Sequence, residues 1–176
     1  MLTMFEYGGI YLRPLEEKDL EKIRKTRNDP STWMNLTDID LIDSQSQKDW
    51  FKTLSRQRKS KRFYAVCSGK DRFVGLVRMD EFDWVNRSVR VGCDVAKSLR
   101  GKGYGSKIME MVSQYGFRYL NMHRLWLLVL DFNSAARRVY EKSGFRVEGR
   151  YRKAIYRSGK YHDYIIMSLL KEEWKG

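Results

Sequence analysis

The sequence has few of the residues that build covalent or metal-linked scaffolds. Its 176 residues include two cysteines, two histidines and two prolines. Cys67 and Cys93 lack the close spacing of a zinc ligand pair, so the sequence predicts neither a metal site nor a disulfide framework. We expect both to be buried, reduced thiols. With so little proline, a proline-rich linker is also excluded.

Long hydrophobic runs are missing as well. The longest apolar run, residues 125–130, is far shorter than the 20 or so residues that cross a bilayer. Residues 1–7 lack the basic and then apolar pattern of a secretory signal. We therefore expect a cytoplasmic protein without a membrane partner. A hydrophobic content of 42% suffices for a core, and the length indicates one domain over residues 1–176.

The sequence has fewer acidic residues than basic ones. Lys and Arg number 35 against 22 Asp and Glu, a formal net charge of +13. A field of this sign attracts phosphates, whether on a cofactor, on a nucleotide-linked substrate or on RNA. The charge alone does not choose among these partners.

Hydrophobic periodicity outlines the secondary structure. A helix is expected over residues 16–27, a second one capped by Ser44, a third over 103–120 with a stripe from Ile108 to Tyr119, and a short one between Asn133 and Gly144. Strands are expected at residues 9–13, 62–67, 73–79, 87–95, 125–130 and in a hairpin over 145–170. This order predicts an α/β (α+β) fold with a mixed, largely antiparallel central sheet flanked by helices.

The most informative segment, residues 95–106, lies between a predicted strand and a predicted helix. Gly101, Gly103 and Gly105 let the backbone turn sharply and approach a ligand closely. Free N–H groups at the start of the helix would then face an anion. Further positive charge comes from Lys97, Arg100, Lys102 and Lys107. The segment thus predicts a pyrophosphate-binding loop, although it matches neither G-x-x-x-x-G-K-[ST] nor G-x-G-x-x-G.

Two motifs resemble those of the GNAT superfamily of N-acetyltransferases. Arg100, Gly103 and Gly105 match its acetyl-CoA loop, [QR]-x-x-G-x-[GA], and residues 133–145 match its later signature, N-x-x-A-x-x-x-Y-x-x-x-G-F. Residues 12–15 and 159–163 are similar to the branch of ribosomal-protein and polyamine acetyltransferases. Residues 27–30 and 50–51 are similar to amino-sugar N-acetyltransferases.

The resemblance implies a GNAT-like acyl-CoA N-acyltransferase fold with acetyl-CoA as cosubstrate. The strand before the loop would splay from its neighbour and expose backbone groups to pantetheine at Gly92, Cys93, Asp94 and Val95. The pyrophosphate would lie on Arg100, Gly101, Lys102, Gly103, Tyr104, Gly105 and Ser106. The later signature would add Asn133, Ala136, Tyr140 and Lys142.

The resemblance also assigns chemistry to Tyr140, whose phenol would protonate the departing thiolate of coenzyme A. Arg137, Arg138 and Lys142 are candidates for the adenosine 3′-phosphate. The general base is open, because Arg90 stands where some relatives have a glutamate, and arginine does not accept a proton at neutral pH. Glu81, Asp94, a water held by backbone groups, or an amine that binds already neutral are the alternatives.

Several amine acceptors fit the sequence. If Arg90 faces the acceptor site, it suits an anionic substrate such as a nucleotide-linked amino sugar. Asp38, Asp40 and the acidic segment 80–83 would instead suit a polyamine or a protein N-terminus, including that of a ribosomal protein. Small acetyltransferases of this branch are often dimers, so a homodimer is an expectation.

A second class of function uses the same fold without catalysis. In this alternative the chain is a basic RNA-binding or regulatory module. Its phosphate contacts would come from a basic cluster interleaved with Tyr151 and Tyr156. The cluster consists of Arg146, Arg150, Arg152, Lys153 and Arg157. The acetyltransferase interpretation requires no nucleic acid.

Overall fold

One mixed sheet of eight strands organises the chain. The computed structural model describes residues 5–176; residues 1–4, part of the segment compared with a secretory signal, lie outside the described residues. The strands are β1 (Phe5–Tyr7), β2 (Ile10–Pro14), β3 (Lys61–Ser68), β4 (Arg72–Asp83), β5 (Ser88–Val95), β6 (Arg124–Leu130), β7 (Arg146–Arg157) and β8 (Lys160–Leu170). The helices are α1 (Leu20–Asn28), α2 (Pro30–Trp33), α3 (Ser44–Leu54), α4 (Tyr104–Gln114) and α5 (Ser134–Lys142).

The strand order β1-β2-β3-β4-β5-β6-β8-β7 contains a single parallel pair, β5 with β6. All other neighbouring strands in the described sheet are antiparallel, which confirms the predicted mixed, largely antiparallel sheet flanked by helices. Among residues 5–176, no helix has the length and apolar character needed to cross a membrane.

The parallel pair opens partway along its length. Its ladder joins three residue pairs and ends at Arg90 with Trp126. The β4–β5 ladder, in contrast, continues to Val95, and the β6–β8 ladder continues to Leu130. The two strands therefore diverge beyond Arg90 and Trp126, which is the splay that the resemblance implied.

Helix α4 covers the opposite side of β5 from helices α1 and α3. Its buried Ile108, Met111 and Val112 pack in one cluster with Val89 and Val91 of β5. The predicted stripe is wrong at Tyr119, whose side chain is 62% exposed. The helix passes at residue 115 into a π-helical turn, Tyr115–Tyr119, and the extra residue per turn rotates later side chains away from the stripe.

Several element ends differ in detail from the predictions. The N-cap of α3 is Asp43, not Ser44: the Asp43 carboxylate accepts hydrogen bonds from the amides of Gln45 and Ser46 at 2.8 and 2.9 Å. Strand β1 and helix α2 were not predicted, because three or four residues are too few to show a period. The predicted end of α5 is confirmed, since Gly144 follows its C-cap with a left-handed φ of 90°.

A buried ion pair ties the first long strand to the rest of the fold. Arg13 of β2 donates to both carboxylate oxygens of Asp19, at 2.6 and 2.8 Å, and to Asp71 at 2.7 Å. Asp19 lies in the turn before α1, and Asp71 lies in the turn between β3 and β4. This arginine therefore joins three segments that are distant in sequence.

We expect Asp19→Ala to lower the free energy of unfolding by about 3 kcal/mol or more, because it removes the buried carboxylate that pairs with the buried guanidinium of Arg13. Asp19 is fully buried, whereas Glu17 in the same turn is exposed, so Glu17→Ala is the matched control and should cost less than about 0.5 kcal/mol. Urea unfolding followed by circular dichroism measures both. Equal midpoints for the two variants would contradict this role of the ion pair.

Candidate active site

The divergence of β5 and β6 forms a cavity of about 480 Å³. Its walls come from β5, the loop after β5, the end of β6, α5, β8 and the segment around α2. Most of the predicted cofactor residues line it, namely Gly92, Cys93, Asp94, Val95, Arg100, Gly101, Gly103, Tyr104, Gly105, Ser106, Asn133, Ala136 and Tyr140. Lys102 and Lys142 are exposed and lie outside the lining.

The loop between β5 and α4 presents backbone N–H groups to the cavity. Gly101 and Gly103 take left-handed φ values of 74° and 79°, which favour glycine. Gly103 is the N-cap of α4 and provides no side-chain cap. Within residues 5–176, the amides of Gly103, Tyr104, Gly105 and Ser106 donate to no protein oxygen. A helix start with free amides binds anions.

Gly105 has a packing role in addition. A Cβ at this position would lie 3.3 Å from both γ-carbons of Val139 on α5. The missing side chain therefore lets α4 and α5 approach closely, and it positions α5 against the cavity.

The lysines around the loop are engaged by protein oxygens. Each ammonium group lies 3.0 Å or less from a carboxylate or a carbonyl oxygen, in the pairs Lys97 with Asp29, Lys102 with Ser98 and Lys107 with Gly8. Each ammonium keeps further N–H donors, so the lysines add positive charge around the loop, while the backbone amides have no protein partner in the described residues.

Arg100 joins the loop to α2. Its guanidinium donates to the carbonyl of Val95 at 3.0 Å, to the hydroxyl of Ser31 at 2.8 Å and to the hydroxyl of Thr32. Arg100 lines the cavity as predicted. Its hydrogen bonds also connect the loop after β5 to α2.

Tyr140 is a buried phenol at the cavity wall, with 9% of its surface exposed. Its hydroxyl has no hydrogen-bond partner among residues 5–176, and its ring packs 6.1 Å from that of Phe145. Burial, with smaller contributions from Cys93 and Asp94, raises the pKa of Tyr140 well above its usual range. The phenol therefore stays protonated at neutral pH and is available as a donor.

The two cysteines are thiols rather than thiolates at neutral pH. Burial raises the pKa of Cys93, which lines the cavity, to about 12. Burial also raises the pKa of Cys67, which lies outside the cavity, to about 12. Since the thiolate is the nucleophilic form, neither residue is suited to carry an acyl group during transfer.

Asn133 has two positions of interest, one at the start of α5 and one at the cavity. Its side-chain oxygen accepts a hydrogen bond from the Ala136 amide at 3.2 Å, which makes it the N-cap of α5. It also lines the cavity, with its side-chain nitrogen left for another partner.

The structure separates the two candidate bases. Asp94 lines the cavity, whereas Glu81 lies outside it and pairs with Arg90 at 2.8 Å. Arg90, considered above for an anionic acceptor, also lies outside the lining: it is in the paired part of β5 and donates to both oxygens of Asp80, at 2.7 and 3.0 Å. Asp38 and Asp40 are exposed and outside the lining.

Comparison with known proteins identifies the family. A family model described as an acetyltransferase (GNAT) domain matches residues 10–146. The chain belongs to this family. It is an acetyl-CoA-dependent N-acetyltransferase, and the fold, the enzyme class and the cosubstrate that the resemblance implied are confirmed.

Individual relatives of this acetyltransferase differ in their acceptors. The chain is 27% identical to spermidine N(1)-acetyltransferase of Escherichia coli, over 94% of this chain and 88% of that one. It is 28% identical to a putative ribosomal N-acetyltransferase of Bacillus subtilis, over 100% and 99%. A spermidine N-acetyltransferase from Vibrio cholerae, solved with CoA and spermine, shares the fold with a TM-score of 0.87 at 24% identity, over 97% and 100% of the two chains.

Sequence reasoning gave no site role to several residues that line the cavity of this acetyltransferase. Among them are Arg27, Arg78 and Tyr164, which come from α1, β4 and β8. A partial signal existed for Arg78, because Gly92 is its partner in the β4–β5 register and leaves room for its guanidinium. Arg27 begins the segment 27–30 that is similar to amino-sugar N-acetyltransferases, but no role at the site was predicted for it, and Tyr164 stands in no motif.

The basic cluster on β7 is largely engaged within the protein. Arg157 is 6% exposed and donates to the carbonyls of Leu36 and Thr37, so the interpretation that it contacts phosphates is wrong. Ion pairs also hold Arg146 with Glu173 at 2.8 Å and Arg150 with Asp163 at 3.0 Å.

We expect Gly103→Val to weaken acetyl-CoA binding by at least about tenfold, because a branched side chain would stand before the free amides and strain the left-handed backbone. Gly159, in the turn between β7 and β8, has a similar φ of 84° and equally open space around it. Gly159→Val therefore reproduces the strain away from the cavity. Titration calorimetry with acetyl-CoA compares the two, and unchanged affinity in Gly103→Val would contradict this placement of the diphosphate.

Proposed function

We propose that this acetyltransferase moves the acetyl group of acetyl-CoA directly to a primary amine, with Tyr140 as the proton donor. The observation that supports this most strongly is the opening between β5 and β6. It brings the free amides at the start of α4 and the Tyr140 hydroxyl to one cavity.

In this proposal the cavity binds acetyl-CoA in three parts. The amides of residues 103–106 hold the diphosphate, and Asn133 contacts the pantetheine arm. One edge of residues 92–95 pairs with β4, and the other faces the opening instead of β6, so the N–H and C=O groups on that open edge, apart from the Val95 carbonyl bound by Arg100, can pair with the amides of the arm. When bound, acetyl-CoA supplies the thioester that the amine attacks.

The proton balance requires a donor for the departing thiolate and an acceptor for the proton of the amine. The Tyr140 phenol, kept protonated by burial, donates to the sulfur as the C–S bond breaks. Asp94 is the one carboxylate in the described lining that is available to accept the proton of the amine. Arg27 and Arg78 line the same cavity, and nearby cations favour the neutral form of an amine.

The relatives suggest candidates for the amine that accepts the acetyl group. Spermidine acetyltransferases among the relatives favour a polyamine as one candidate. Dimerisation is an expectation without specific support, because the Vibrio cholerae enzyme, 25% identical, is described as dodecameric. We also propose that residues 1–176 act as one acetyltransferase domain.

We expect the purified protein to release coenzyme A thiol from acetyl-CoA when a suitable primary amine is present. A panel of spermidine, hexosamines, their phosphates, nucleotide-linked amino sugars and a peptide with a free N-terminus covers the candidates, read by thiol release and by mass of the product. RNA binding with steep salt dependence and no thiol release for any amine would instead support the RNA-binding module.

We expect Tyr140→Phe to lower kcat by about tenfold or more with little change in acetyl-CoA affinity, because the ring remains while the proton donor is lost. Tyr156→Phe is the control, since this tyrosine is exposed on β7. Steady-state kinetics with the best acceptor of the panel, together with calorimetry, measures both quantities. If the two variants turn over equally fast, Tyr140 is not the acid.

A further inference from the structure

Two arginines that line the cavity make no hydrogen bond to the described residues. The Nε atoms of Arg27 and Arg78 are buried without a hydrogen bond, and no N–H of either guanidinium donates to a residue in the described range 5–176. Other buried or half-buried arginines are hydrogen-bonded, as Arg13, Arg90 and Arg157 show. Arg157, outside the cavity, also has an unpaired Nε, but its two terminal nitrogens are hydrogen-bonded, which those of Arg27 and Arg78 are not.

The position of Arg78 is fixed by the register of the sheet. Arg78 is paired with Gly92 across β4 and β5, and its Nη2 atom lies 3.1 Å from where a Cβ of residue 92 would stand. Asp80 Oδ2 lies 3.3 Å from Arg78 Nε, without hydrogen-bond geometry. Asp80 is thus an ion-pair partner of Arg78 and the hydrogen-bond acceptor of Arg90, and the guanidinium N–H groups of Arg78 remain without a hydrogen bond to the described residues.

Tyr164 adds an unpartnered hydroxyl to the same cavity. The residue is 7% exposed, and its hydroxyl is buried with no hydrogen-bond partner among the described residues. A buried donor left unpaired costs free energy, so its persistence here indicates a group that a ligand satisfies.

The charged residues that line the cavity are mostly basic. Arg27, Arg78 and Arg100 face a single carboxylate, Asp94, in the described part of the lining. Arg100 is hydrogen-bonded to the protein, which leaves Arg27 and Arg78 for a ligand. A polyamine would add positive charge beside these arginines, whereas an oxyanion would satisfy them.

The diphosphate of acetyl-CoA already has a separate place in the proposed function. Its amides follow Gly103, whereas Arg78 lies beside Gly92, where the uncharged pantetheine arm and the thioester are expected. Arg78 is therefore nearer to the reacting end than to the diphosphate, and Arg27 lines the same cavity.

We propose that the amine acceptor carries an oxyanion, a carboxylate or a phosphate, that binds Arg27 and Arg78 with Tyr164 donating to the same molecule. This inference rests on the proposed function, because it names the class of acceptor for the same cavity. It replaces Arg90, the anion-binding residue expected from the sequence, by two residues that the fold brings to the opening.

The test uses acceptors that differ only in the anionic group. Glucosamine is compared with glucosamine 6-phosphate, and 1,4-diaminobutane with 4-aminobutanoate, so that the phosphate and carboxylate are distinguished. We expect kcat/KM for the anionic member of at least one pair to be about tenfold higher or more. The proposal would be overturned if neither glucosamine 6-phosphate nor 4-aminobutanoate gave a higher kcat/KM than its partner compound, or if spermidine gave the highest kcat/KM of all.

Variants then assign the effect to the two arginines. Arg27→Gln and Arg78→Gln should each raise KM for the preferred anionic acceptor by about tenfold, while acetyl-CoA affinity stays unchanged. Arg56→Gln is the matched control, because Arg56 is exposed and lies outside the lining. A loss of acetyl-CoA affinity in the two cavity variants, with acceptor KM unchanged, would assign the arginines to the cofactor and overturn the proposal.

A binding measurement separates this inference from the proposed function. Calorimetry of glucosamine 6-phosphate and of glucosamine with the CoA-saturated protein needs no turnover. Tighter binding of the phosphate that is lost in Arg78→Gln, with no thiol release for any amine, would support the oxyanion site and reject the proposed function. Equal binding of the two sugars together with thiol release would support the proposed function and reject the oxyanion site. Arg78→Lys, which keeps the charge, should retain part of the preference, and circular dichroism verifies that each variant is folded.

Discussion

The ending of the β5–β6 ladder after three residue pairs is the constraint on which the site depends. β5 remains paired with β4, and β6 remains paired with β8, so neither strand can close the gap. The facing edges then carry backbone N–H and C=O groups without a strand partner, and such groups are costly to bury unless another polar group pairs with them. An extended amide-containing arm is suited to that gap. The loop after β5 and the helix after β6 place Gly103 and Tyr140 at its edges.

Positive charge has two separate uses around the cavity. The lysines of the loop each bind a protein oxygen and add positive charge around it, while the backbone amides at the start of α4 are donors whose positions the helix fixes. Arg27 and Arg78, in contrast, donate no hydrogen bond to the described residues, and Arg78 lies beside Gly92 with an ion pair to Asp80 at 3.3 Å. The net charge of +13 therefore says little about the site. What matters is which cations the fold leaves without a partner.

Two hydrogen-bonded arginines fix the position of the segment between α1 and α3, which forms one wall of the cavity. Arg100 binds the α2 hydroxyls of Ser31 and Thr32, and Arg157 binds the carbonyls of Leu36 and Thr37. The segment between α1 and α3 is thereby tied at one end to the diphosphate loop and at the other to the β7–β8 hairpin. Because this segment lines the cavity, its position relative to bound acetyl-CoA is set by contacts from both sides.

The sequence by itself determined the features that are local. The glycines of residues 101–105, the Asn133 cap and the Tyr140 spacing predicted the loop, the helix and the family, because turn geometry and helical period act within a few residues. Only the tertiary structure decided which side chains share the cavity. Arg90 and Arg78 lie on neighbouring strands, yet Arg90 falls in the paired region and is hydrogen-bonded to Asp80, while Arg78 falls opposite Gly92 and makes no hydrogen bond to the described residues. That difference depends on strand register and on where β5 leaves β6, which residues far apart in the chain fix together.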